Sequence, residues 1–418
     1  MYRPLKLAVV EDRDHIHRNL RILFVKSILS SLVDGMVAPF ITVYPILLGA
    51  NPSDMGLIRS TTNFTQSILQ TFWGRLSDSI GRRVPIIFFG SIIIALTWIL
   101  IAYTDSVGVY LVLIVIQTLA ASAVAPVWTA LIGDNTTSID RARVVAHIRL
   151  WSLAGSIITA ALSGWISSTI TASGKDVYKI PLLTAGSIGI VSSLIILYVK
   201  EDRRTRVKIK KPILNLYDLK SLKKDGVFYE FCKVNAIASF ALSIAWPIFP
   251  ITLQSILKLP PAMLTILSIS QGLSSLLIQR YVDRVINRYS CERVITLYRS
   301  ALIIVPTSYL FAEITGQLSI LIANNIVLGL ISALGETAYT TYLLGIVNEF
   351  ERGERIAIYN VFVGITTTVG SFIGGYIANI IEGYIGLIWA TRIVYIISIV
   401  GRIATALMVW RTIGRRGV

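Results

Sequence analysis

Two carboxylates stand inside long apolar stretches of this sequence: Asp34 within residues 20–48 and Glu336 within 318–347. Each is more than two helical turns from either end of its stretch, and a carboxylate stem is too short to reach water from there. If the stretches cross a membrane, a central Asp costs about 2.5 to 3.5 kcal/mol to insert, so both acids must face protein or a watery interior. Periodicity agrees. At about 100° per residue, Ser27, Ser31, Asp34, Ala38, Thr42 and Pro45 share one helix face, and Asn325, Gly329, Ser332, Glu336 and Thr340 share another. A third polar stripe, Arg59, Asn63, Gln66 and Gln70, follows in the next stretch. Folding the chain back near Asn51 brings Asp34 level with Ile68, between Gln66 and Gln70, and an amide bonds a carboxyl in either protonation state. Asp34 is therefore the first candidate for a group that takes up and releases a proton, and Glu336 the second. Arg59 lies about 13 Å nearer the far surface, too distant for an ion pair with Asp34. The alternative for either acid is a fixed interhelical hydrogen-bond network.

Other chemistries lack their residues. There is no GxxxxGK[ST] loop, HExxH pair or GxSxG elbow, and His15, His17 and His147 lie at or outside the ends of apolar stretches. Cys232 and Cys291 fall in or beside basic loops and read as free thiols. No metal, no cofactor and no enzyme activity are expected.

The elements that must position these side chains follow from composition. Of 418 residues 54% are apolar and 15% charged, against about 45–50% and about 25% in soluble domains. The apolar residues form blocks at 20–48, 54–73, 84–103, 108–132, 147–170, 180–199, 229–257, 262–278, 294–312, 318–347, 356–381 and 385–410. Each is about the 20 residues a bilayer-crossing helix needs, so the fold class is an all-α integral membrane protein with twelve transmembrane helices. The first block is too long for a cleavable signal and reads as an uncleaved span.

The net charge of +16 would suggest nucleic acid in a soluble chain. Here 30 Lys and Arg fall in the loops on the side of the N-terminus and three on the other, which is the positive-inside pattern with both termini cytoplasmic. Nucleic acid is not expected as a partner; the lipid bilayer is. Lys26, Arg149, Arg299 and Arg402 lie near the cytoplasmic ends of their spans, where long side chains snorkel to the headgroups. Arg392 is harder to place, with Glu382 in the preceding turn as the nearest guess. Residues 200–233 are the only long break between blocks, a basic linker between a six-helix half at 1–199 and another at 234–418.

Between the second and third blocks the chain reads Gly74-Arg75-Leu-Ser-Asp78-Ser-Ile-Gly81-Arg82-Arg83, one acid among three arginines in a glycine-punctuated turn. In the second half, Arg280, Asp283, Arg284 and Arg288 keep the acid and arginines without the glycines. The first segment resembles the GxxxDxxGRR loop of the major facilitator superfamily, and the chain is similar to that family over nearly its whole length. The resemblance implies two six-helix bundles with the first, fourth, seventh and tenth helices lining a central cavity. It also implies a gate in which Asp78 engages the second half while Arg82 or Arg83 reaches an acid such as Asp134.

By the same resemblance the chain is expected to be a monomeric secondary active transporter of a small solute in the plasma membrane, working by alternating access and coupled to protons. Trp128, Trp246, Tyr44, Tyr339 and Tyr342, without a central base, lean toward export of neutral or cationic amphipathic compounds. The proton-driven exporters of the family carry an arginine in the fourth span, where this chain has Gln117, and a GP motif in the fifth, absent here. A proton symporter or facilitator importing a nutrient such as a sugar is the alternative, and a non-transporting membrane sensor or scaffold is the reading from another class. Asp78→Asn is expected to lower transport while leaving membrane insertion intact; wild-type rates in reconstituted vesicles would refute the gate.

Overall fold

The computed structural model describes residues 5–136, 140–172, 174–201, 226–347 and 352–414, and they form helices joined by short turns. The first block is α1 (Leu5–Val37) with the short α2 (Tyr44–Leu47), and the second is α3 (Pro52–Phe64), a π turn (Thr65–Leu69) and α4 (Gln70–Ile80). Then come α5 (Val84–Ile101), α6 (Val107–Asp134), α7 (Arg141–Thr169) and α8 (Lys179–Ile195). The seventh block is α9 (Gly226–Ser243), α10 (Ile248–Ile251) and a second π turn (Thr252–Ile256), and the eighth is α11 (Pro261–Gln279). After the short α12 (Val282–Tyr289), α13 (Cys291–Ala301) and α14 (Ile304–Thr315) make the ninth. The last three are α15 (Leu318–Ile346), α16 (Arg352–Ile385) and α17 (Leu387–Thr412). Ten of the twelve blocks are long and apolar enough to cross a membrane; the first two, with Lys26 and Asp34 in one and Arg59 and a run of amides in the other, are not among them.

The chain folds as two compact units, 1–38 with 69–212 and 39–68 with 213–418. In the first, α1 lies against α7 through small side chains. Ser163 donates to the Met36 carbonyl at 2.7 Å, and the Ser27 and Ser152 hydroxyls share a hydrogen bond of 2.9 Å. At Gly35 a Cβ would collide with the Ser156 carbonyl and the Thr159 hydroxyl, so only glycine permits this approach. The serine and threonine stripe of the fifth span thus packs within its own unit. Outward faces carry large apolar groups such as Phe89, Ile158 and Trp165, the surface a lipid-embedded bundle presents.

In the second unit α3 starts at a capping box, Asn51 accepting from the Asp54 amide while Asp54 accepts from that of Asn51, with Pro52 at the first helical position. It packs on α16, where Asn63 donates to Ser371 Oγ at 3.2 Å. Phe228, Phe231, Ile295, Ala338 and Val409 form a core shared by α9, α13, α15 and α17.

A buried carboxylate ties this unit together. Glu313 on α14 has a fully buried side chain and accepts from Thr252 at 2.5 Å and Thr391 at 3.1 Å; Arg392 stands 3.9 Å away. Arg392 is therefore partnered by Glu313, and the guess at Glu382 is corrected: the side chain turns toward the ninth span, where a desolvated charge awaits it.

Two stability outcomes follow. Gly35→Val is expected to cost about 1 to 3 kcal/mol by overpacking and to lower the melting temperature in detergent. Gly133→Ala, where nothing lies near an added Cβ, should leave it unchanged or higher. Glu313→Ala, which removes the carboxylate from Arg392 while Thr252 keeps Tyr395 and Thr391 keeps the Ile388 carbonyl, is expected to cost about 1 to 3 kcal/mol, whereas Glu313→Gln retains the threonine contacts and costs less; equal melting temperatures for the two variants would refute this role.

Candidate functional site

Within the first unit a cavity of about 330 Å³ opens among α1, α5, α6, α7 and α8, its wall a mixture of serines with Val33, Ile94, Val124 and Trp128. Ser27, Ser30, Ser31 and Asp34 line it from α1, Ser152 from α7 and Ser192 from α8. Asp34 is exposed there, and its carboxylate makes no hydrogen bond among the described residues. The acid thus faces a cavity inside the first unit, on a face of α1 that it shares with Ser27 and Ser31.

The same cavity holds Lys26, two turns earlier on α1. It is 4% exposed, donates to Ser30 Oγ at 3.1 Å and lies over the Trp128 ring at 4.7 Å. Snorkelling is thus corrected for Lys26: its ammonium is held inward by a hydroxyl and an aromatic face instead of reaching the headgroups. Two opposite charges face one small space from a single helix. The eight-residue spacing, about 80° around the helix axis, was the signal that both line one side of α1.

Gln66 and Gln70 do not line this cavity. The expected amide contact assumed an unbroken α-helix, but the π turn at Thr65–Leu69 inserts an extra residue and turns the stripe off register. Gln66 is exposed and belongs to the second unit with Arg59. Gln117 is buried at 8% exposure a turn before Ala121 of the cavity wall, its amide nitrogen unbonded among the described residues.

The motif between the second and third spans forms a linked cluster. Gly81 takes a left-handed conformation (φ 70°) that ends α4, as a glycine there permits. Arg83 pairs with Asp134 at 3.0 Å, while Arg82 is exposed and Gly74 passes Pro126 of α6. Glu201 accepts from the Arg83 and Val84 amides at 2.7 and 3.1 Å, capping α5 with a residue far along the chain. Nearby, Asn19 bonds both Asn135 and the Lys200 backbone. The side chains of Arg75 and Asp78, and most of the linker (residues 202–225), lie outside the described residues.

In the second unit Asn325 and Ser332 line another cavity, of about 380 Å³, together with Arg59, Trp246, Phe249 and Tyr309. Glu336 is exposed and outside it. Arg402, 3% exposed, also lines it, and Arg299 bonds Tyr339 at 2.6 Å and Asn235 at 3.0 Å. Snorkelling is corrected for both. The premise of no central base, which favoured cationic solutes, also fails at Lys26 and Arg402. Of the five aromatics, Trp128 lines the first cavity and carries Lys26, Tyr339 holds Arg299, Tyr44 and Tyr342 are buried, and Trp246 lines the second cavity. The second motif copy sits on and beside α12: Arg280 and Arg284 stack on Tyr281, Arg288 stacks on Tyr289, and Asp283 is exposed. No metal-binding group occurs among the described residues.

Comparison with known proteins places this architecture. The Quinolone resistance protein NorA of Staphylococcus aureus is 23% identical over 87% of this chain and 90% of its own length. The crystal structure of the nucleoside transporter NupG (D323A mutant) superposes with a TM-score of 0.78 at 15% identity, covering 94% of this chain and 99% of that one. A bacterial homolog of the human lysosomal transporter Spinster, in an inward-facing and occupied conformation, gives 0.68 at 14% identity over 97% of both chains. The Major Facilitator Superfamily model matches residues 23–234 and again 231–417, so the chain belongs to that family and is a multi-pass membrane transporter.

Proposed function

We propose that the chain is a proton-coupled secondary active transporter that exports small amphipathic solutes by alternating access, as a monomer in the plasma membrane with both termini cytoplasmic. The observation that carries the reading is Asp34, exposed in a serine-bearing cavity of about 330 Å³ that it shares with the buried Lys26. A carboxylate in that space attracts the ammonium; a protonated carboxyl does not. Because Lys26 rests on Trp128 of α6 and bonds Ser30 of α1, adding or removing one proton changes the forces on two spans at once. The low local dielectric strengthens that coupling relative to water.

Similarity to a quinolone resistance protein supports outward transport, since removal of a compound is one way to resist it. The solute is taken as amphipathic without a preference for cations, because Lys26 already occupies the Trp128 face. The 30 to 3 distribution of basic residues supports the orientation.

In everted vesicles with an acid interior, a compound panel should accumulate inside in exchange for protons. Asp34→Asn is expected to abolish gradient-driven accumulation and to leave, at most, equilibration. Accumulation that ignores both the gradient and the substitution would remove proton coupling at Asp34. Accumulation only in right-side-out vesicles under an outside-acid gradient would make the protein a symporter, and inertness across the panel would favour a sensor.

A further inference from the structure

A basic turn joins the eighth and ninth spans. Residues 280–293 hold Arg280, Arg284, Arg288 and Arg293 against two acids, Asp283 and Glu292, and none of the six forms an ion pair among the described residues. Helix geometry sorts them. On α12, Tyr289 and Arg288 lie about 40° and 60° from Val285 around the axis, whereas Asp283 lies about 160° away. The Arg288 guanidinium rests over the Tyr289 ring at 5.5 Å. On α13, Leu297 stands one turn above Arg293, and Glu292 points about 140° from Leu297.

The side of this turn that the bases share borders a groove of about 300 Å³ between α12, α13 and α15. Among the described residues Arg293 is the one charged side chain that lines it, beside Val285 and Tyr289, and its other end is apolar, with Leu297, Ile331 and Leu334. The polarity changes along the bilayer normal. Arg293 is in the first turn of the ninth span, Leu297 lies about 6 Å deeper, and on α15, which runs the opposite way, Ile331 lies about 4.5 Å deeper than Leu334. Leu297 is 63% exposed and Tyr289 48%, so the groove opens on the outward surface of the bundle. Tyr298, its ring against Gly335, separates it from the cavity of Asn325 and Ser332. Glu336, exposed on α15, does not line it.

An apolar groove with bases at its interfacial end fits an amphiphile with a negative head. A second copy of this chain, meeting the same surface, would bring its own arginines to that edge. We propose that the groove binds one acyl chain of an anionic phospholipid, with the phosphate held by Arg293 and Arg288. Guanidiniums meet phosphate through forked, charge-assisted hydrogen bonds, and basic pockets at the membrane interface hold such headgroups. The leaflet is the one on the side of the N-terminus, where the loop bases collect. The site stands on the second unit alone and is independent of the direction and coupling of transport.

The test uses the full-length protein in phosphatidylcholine nanodiscs that contain a little phosphatidylglycerol or phosphatidylcholine bearing a photoactivatable diazirine in one acyl chain. Labelled peptides are mapped by mass spectrometry. The phosphatidylglycerol probe is expected to label 285–298 and 331–334 about fivefold or more above the phosphatidylcholine probe, the margin of one base near an anionic headgroup. Arg288→Gln combined with Arg293→Gln should bring the two probes to equal labelling; both side chains are exposed, so the fold is spared. Leu297→Trp, which fills the groove, should lower labelling there by either probe and leave labelling around Phe89, on the outward face of α5, unchanged. Equal labelling by the two probes in wild type, a preference that survives the double substitution, or labelling no denser than around Phe89 would overturn the site. Protein–protein cross-links through these same peptides would put a second copy there and overturn it as well.

Discussion

A charge that cannot reach water must be held by an opposite charge, by hydrogen bonds or by a polar cavity, and this requirement organises the membrane-spanning part of the protein. Each of the three solutions appears. Glu313 is fully buried and is met by two threonine hydroxyls and Arg392. Arg402 is met by a serine and two carbonyls, and Asp34 by a serine-lined cavity that it shares with Lys26. The first solution makes a rigid joint between the seventh, ninth and last spans. The third leaves a carboxylate exposed to a cavity, and the proposed proton coupling rests on Asp34 and not on the fully engaged Glu313.

Helix packing supplies the frame on which such charges are held. Without a strong hydrophobic drive between helices in lipid, association depends on close contact and short hydrogen bonds. The α1 and α7 pair shows both, with Gly35 pressed to the backbone near Ser156 and Ser163 bonded to the Met36 carbonyl. That contact lies within a turn of Asp34. The carboxylate is therefore carried by a firmly packed segment, while the side chains around it are small hydroxyls that leave room for water or solute.

Much of the architecture was legible because bilayer thickness imposes a length on every span. The twelve apolar blocks emerge as helical segments, interrupted within several by turns, ten of them among the described residues long and apolar enough to cross a membrane, and the Arg83 pairing with Asp134 appears where the motif implied it. Features that depend on side-chain direction were less legible. Lys26 and Arg402 lie where snorkelling is sterically open, and only the partners on other helices decide that they turn inward. The Gln66 and Gln70 stripe failed for a local reason, since a π turn alters helical phase without any strong sequence mark. Glu313 escaped notice because it closes its apolar block and looked like the start of a loop; its burial depends on Thr252 and Thr391, distant in sequence.

The two copies of the arginine-rich loop show how a duplicated element diverges under one physical demand. In the first copy the basic charge is balanced by acids: Arg83 lies on Asp134, and Glu201 caps the helix that follows. In the second, tyrosines take over, Arg280 and Arg284 stacking on Tyr281 and Arg288 on Tyr289, with Asp283 left exposed. Loss of the glycines fits this exchange. The first loop needs Gly81 in a left-handed conformation to end α4 and bring Arg83 to the head of α5. The second instead continues into α12, an amphipathic helix with Val282 buried and its arginines outside. An acid–arginine pair can be broken and remade in different helix arrangements, whereas a cation over its neighbour's ring moves with its own helix. On the proposed alternating-access reading, the contacts able to exchange are those of the first copy, while the stacked arginines of the second stay with their own helix.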